Sequence, residues 1–372
     1  MAARAVRAHE PHRSDPTRRG LGELRLNSGN TMELVNLTPF ALQVTPSMSR
    51  DDRDLVLLVV MASYEIPRPH EATTPRVAEE QPPPPMTDAY HGDPSSSSLR
   101  VEGQSIYARP GTDVYIRGHA WTPGGRPSAR SELHVRVGPC RHSALVLGER
   151  VWSRSFATLT ATRPTSFECI PILWERSFGG SPGHARGRRA EIAARNPVGC
   201  GLYEDRPTAD GRPLPNFEDP RQPISGFGDL PEPVGFGPIP RHWQPRLSHA
   251  GTYDQTWVET RAPLWPADMD ERLFCAAAPG LHAQPHLRGG EPVILLGLHP
   301  DGPIEFELPA LALTARFEFR RRILEQALVL DAIDIDGDHM RLGLIWRTAV
   351  QADPLELQSI LVRELATWER VR

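Results

Sequence analysis

Four carboxylates, Glu175, Glu218, Asp219 and Asp254, share a region rich in proline and glycine with Trp174, Trp243 and Trp257. Sugar-cleaving clefts use these residue types: a carboxylate pair flanks the glycosidic bond, and aromatic rings stack on the sugar. The same residues have a plainer use, with Glu175 pairing to Arg176 and the tryptophans packing a loop layer. Gly179-Gly180-Ser181-Pro182-Gly183 fits G-x-S-x-G, the spacing of a serine nucleophile elbow. An elbow needs a helix directly after the serine, and Pro182, Gly183 and Gly187 deny it one. A plain turn is the better reading. Asp334-Ile335-Asp336-Gly337-Asp338 resembles a calcium loop, but its glycine falls too early, and a hairpin accounts for the residues. His282 and His286 stand four apart with Pro285 between them, which breaks the helix a zinc pair would use. The expected set of metals, cofactors and catalytic residues is therefore empty, with the carbohydrate hydrolase kept as the enzyme alternative.

Composition narrows the chemistry further. Lysine is absent, so all 42 basic residues are arginine, which excludes a Schiff-base lysine and a phosphate-loop lysine. The formal net charge of -4 gives no electrostatic reason to expect nucleic acid or an anionic membrane as partner. Cys140, Cys169, Cys200 and Cys275 match no zinc or thioredoxin spacing and read as free thiols in a reducing compartment. The N-terminus lacks the apolar core of a secretory signal, and the longest apolar run, 55–62, is too short to span a bilayer. The expected location is the cytoplasm.

The elements that would position these residues are mostly strands. Thirty-nine prolines leave little room for long helices. Residues 54–66 are apolar on both faces, as in a buried central strand. Strand patterns recur over 107–121, 132–137, 141–152 and 167–174, separated by turn residues at roughly ten-residue spacing. Segments 291–298 and 304–308 read as strands, and 327–336 with 340–346 as a hairpin around Gly337. Residues 355–365 fit either a strand or an amphipathic helix. Short helices are expected over 187–195 and 269–278, and the Pro- and Ser-rich stretch 67–99 reads as a mobile excursion. Between them, 174–220 alternates aromatic and charged anchors with Gly and Pro, the composition of a long loop with a fixed shape.

Several motifs in order resemble a bacterial family catalogued as domain of unknown function 2169. They include Asn36-Leu37-Thr38-Pro39-Phe40, Gly118-His119-Ala120-Trp121, Trp174-Glu175-Arg176-Ser177-Phe178-Gly179-Gly180 and Asn196-Pro197-Val198-Gly199. Leu214-Pro215-Asn216, Gly235-Phe236-Gly237-Pro238, Gly251-Thr252-Tyr253-Asp254 with Trp257, and Leu287-Arg288-Gly289-Gly290-Glu291 continue the series. The resemblance covers roughly 32–313. It implies an accessory role in type VI secretion: an adaptor or chaperone that helps load an effector onto spike proteins of the VgrG and PAAR-like kinds. It carries no catalytic residues.

The expected fold is mainly β, with a sandwich-like core of one or two sheet pairs, long ordered Pro/Gly-rich loops and few short helices. The expected organisation is a disordered tail over 1–31, a β-rich core over 32–317 and a hairpin extension over 318–372, with Met32 an alternative start. The expected partner-binding residues are Trp174, Glu175, Arg176, Phe178, Asn196, Asn216, Tyr253, Asp254 and Trp257. Aromatic residues on ordered loops suit protein recognition.

Overall fold

A computed structural model describes residues 21–25, 31–71, 74–156, 158–181 and 183–365. Most of the tail expected over 1–31 lies outside these residues; Leu21–Arg25 pairs as a strand with Thr31–Asn36. The fold is mainly β, with several sheets and few, short helices.

The principal sheet is built on Asp54–Glu65, which lies between Ala41–Met48 and Arg341–Gln351. Val329–Asp336 and Thr112–Arg117 continue it, and His282–Ala283 closes that edge. The hairpin strands near the C-terminus thus lie in the middle of this sheet, and Gly337 sits in their turn, as the sequence pattern indicates. The two apolar faces of Asp54–Glu65 serve two cores. Val56, Leu58, Val60, Ala62 and Tyr64 join the largest cluster, which draws side chains from both five-stranded sheets. Leu57 and Val59 point the other way, against Tyr115, Ala332 and Ile345.

Irregular chain covers that second face, and this creates a hydrogen-bonding demand. Buried loop carbonyls have no ladder partner and need donors from elsewhere. Three buried arginines supply them. Arg109 donates to the carbonyls of Phe274 (2.9 Å) and Asp331 (3.0 Å), and Arg246 to that of Leu273 (2.8 Å). Arg347 reaches the Gln104 carbonyl and side chain, both at 2.7 Å. Their charges are balanced by three buried carboxylates: Arg109 meets Glu102 (2.8 Å) and Asp113 (3.1 Å), Arg246 meets Glu102 (2.7 Å), and Arg347 meets Asp331. A guanidinium, with five N–H donors in a rigid fork, suits this double duty.

The remaining elements follow the sequence pattern with informative exceptions. Leu357–Glu364 is a strand, running parallel to Thr31–Asn36, which decides between the two readings of that segment. The strand pair expected over 107–121 is present as Thr112–Arg117 and His119–Trp121, separated at Gly118, whose φ of 117° an L side chain rarely adopts. The helix expected over 269–278 shrinks to a single 3-10 turn, Glu271–Phe274. Within the expected excursion over 67–99, the described residues 74–99 are tied down. Gln81 accepts from Ser63 N and donates to Ser63 O, both at 2.9 Å, and Glu175 holds the Ser98 backbone and hydroxyl.

Candidate functional site

The Trp174 layer is assembled from turns whose side chains bond inward. Trp174–Arg176 is a 3-10 turn, and Phe178–Gly179 pairs in parallel with Cys200–Gly201. Helix Arg188–Arg195 then delivers Asn196, fully buried, to the centre. Its Nδ2 donates to the carbonyls of Trp174 (2.8 Å) and Phe178 (3.1 Å). Asn216 plays the matching part at the far side: Nδ2 donates to Leu147 O (2.9 Å), and Oδ1 accepts from Arg176 (2.8 Å). The Trp174 indole donates to Gly237 O (3.2 Å) and packs edge-on against Trp243 at 6.2 Å. Gly235 lies so close to the Trp174 ring that a Cβ there would overlap it.

This geometry corrects part of the expected binding set. Trp174, Phe178, Asn196 and Asn216 are buried, and the Trp174 indole and both amide nitrogens donate within the layer, so they shape it from inside. Glu175 and Arg176 are half-buried and bonded to Ser98 and to Glu149 with Asn216. Tyr253, Asp254 and Trp257 are different. Asp254 caps the helix Gln255–Thr260 by accepting from Trp257 N at 2.8 Å. Tyr253 and Val258 are each more than half exposed, and the Tyr253 ring leans on Trp257 at 4.7 Å. Here an apolar surface faces outward.

The expected chemical groups have structural tasks. Glu218 is buried against Arg150 and accepts from Ile224 N (3.0 Å). Asp219 binds Arg221 at 3.0 Å, and that bonding holds its carboxyl below the usual range. Glu175, Glu218, Asp219 and Asp254 therefore hold four separate sets of partners. Ser181 is exposed beside a cavity of about 460 Å³ that no histidine lines. Asp334 and Asp336 both bind Arg117, at 2.7 and 3.1 Å. His282 Nδ1 meets Asp113 Oδ1 at 2.7 Å, while His286 Nε2 meets Arg109 O at 3.0 Å.

One grouping escaped the sequence reading. Asp113, Cys275 and His282 bring potential ligand atoms within 4.8 Å of one another. Asp113 already accepts from Ala276 N (2.6 Å) and Tyr115 (2.9 Å) and abuts the Arg109 guanidinium, an unfavourable neighbour for a cation. Burial pushes the Cys275 thiol up to about 12, so it is protonated and a poor nucleophile near neutrality. The early signal was a carboxylate, Asp113, beside the apolar run Val114-Tyr115-Ile116 of one strand.

Beside the layer runs a groove of about 620 Å³. Trp174, Val234, Ile239 and several prolines contribute apolar lining, and Arg141, Arg195, Arg221, Asp219 and Glu232 bring charge to it. Arg195 is paired with Glu232, and Arg221 with Asp219. His142 also lines the groove; burial drives its imidazole down to about 4, so it is neutral near pH 7.

A family model described as "Uncharacterized protein conserved in bacteria (DUF2169)" matches residues 51–347, and the chain belongs to that family. No curated protein and no solved structure matches the chain.

Proposed function

We propose that this family member is a non-enzymatic accessory of type VI secretion, an adaptor or chaperone. It would hold a secreted effector and help seat it on the VgrG and PAAR-like spike. The observation that carries the reading is the division of labour in the Trp174 layer. Buried aromatic and amide side chains lock an irregular backbone from beneath, an open, apolar-lined groove runs beside that layer, and a capped helix leaves about half of Tyr253 and Val258 exposed. Preformed apolar surface on a rigid support lowers the ordering cost of binding another protein. A carbohydrate hydrolase would need two of the four carboxylates turned to one cleft, and their separate partners favour the adaptor instead.

The test uses folded surface variants. Tyr253→Ala combined with Val258→Ala should lower capture of effector or spike protein by about tenfold, with an unchanged melting temperature. Undiminished capture by the double variant would remove this face from the account.

A further inference from the structure

The groove carries more information than its apolar lining. Its rim holds three arginines, Arg141, Arg195 and Arg221, against two carboxylates, Asp219 and Glu232. Two of the arginines are neutralised where they stand. Arg141 is exposed, and among the described residues no carboxylate lies within ion-pairing distance of its guanidinium. With His142 neutral, the rim bears one uncompensated positive charge beside an apolar lining. His142 adds an unmet need of another kind: its Nε2 is buried without a hydrogen-bond partner.

We propose that this groove takes an extended polypeptide segment of the cargo, with an aliphatic side chain against the proline walls, where Pro245 and Pro279 are exposed, and a carboxylate on Arg141. The identity of the occupant as polypeptide rests on the adaptor reading; its charge and apolarity rest on the groove. An arginine fork receives a carboxylate through two parallel N–H donors, which fixes the register of the segment as well as attracting it. The prolines along the walls, Pro233, Pro245 and Pro279, lack N–H groups and hold their shape without an occupant. Such walls favour side-chain contacts over strand pairing with the guest.

The experiment places a photo-crosslinking amino acid at Pro279, in the groove, or at Val258, on the exposed helix, in the native host with secretion genes expressed. The expected result is a cross-link from position 279 to a cargo segment carrying Asp or Glu beside an aliphatic residue. Arg141→Glu, at an exposed position and checked to melt like the native chain, should lower that yield by about fivefold or more. Reversing the cargo carboxylate to arginine should restore it. Cargo cross-linked from 258 but never from 279 would overturn the groove proposal and leave the adaptor reading standing, as would a yield indifferent to Arg141→Glu. Silence at both positions during active secretion would remove both.

Discussion

At the residue scale, the main distinction is which side of the loop layer a side chain occupies. Trp174 and Tyr253 both read as aromatic anchors in the sequence, yet one is buried and the other half bare. Trp174→Ala should cost about 3–5 kcal/mol through the cavity it leaves. Tyr253→Ala should cost about 1 kcal/mol or less, because about half of the residue is already exposed to solvent. Urea titration of the two variants separates the roles. His142 gives a second test. Burial lowers its folded-state pKa from 6.5 to about 4. Between those values the unfolded chain binds a proton the folded chain refuses. The stability is thus complete above about pH 6.5 and falls as pH drops towards 4, by up to about 3 kcal/mol. His142→Phe should flatten that part of the profile relative to the native chain; parallel profiles would contradict it. Residue types were legible in the sequence, but the side they face was not, because Gly and Pro turns erase the periodicity that reports burial.

At the element scale, strong periodicity translated well. The two-faced apolar run at 54–65 became a buried interior strand of the principal sheet, and the Gly187-to-Arg195 pattern became a helix. Segments shaped by tertiary contacts did not. Gln255–Thr260 has too few apolar positions to announce a helix, and the Asp254 cap was the one local signal. The order of 74–99 was invisible because bonds to residues outside it, Gln81 to Ser63 and Ser98 to Glu175, secure it. Gly179 is the sharpest test of the layer's backbone. Its φ is 152°, and a Cβ there would overlap the Asn196 carbonyl. Gly179→Ala should therefore cost about 3 kcal/mol. A melting temperature equal to the native one would show that the layer is looser than described.

At the scale of the whole molecule, the buried ionic cluster joins the irregular cover to the principal sheet. Glu102 with Arg109, Arg246, and Asp331 with Arg347 come from three segments far apart in sequence, so nothing local could have revealed the meeting of all five. Arg347→Met leaves Asp331 short of its partner and two Gln104 oxygens short of donors, and should cost about 3–5 kcal/mol. An unperturbed denaturation midpoint would mean that the cover is held by apolar contacts alone. On the adaptor proposal, that rigid support presents a surface to other proteins, and one measurement addresses it most directly. The tagged chain is purified gently from its native host while the secretion genes are expressed, and co-purifying proteins are identified by mass spectrometry. The account predicts a spike protein or a toxin-like effector in near-stoichiometric amount, lost from the Tyr253→Ala, Val258→Ala variant. A folded, prey-free native chain under those conditions would contradict it.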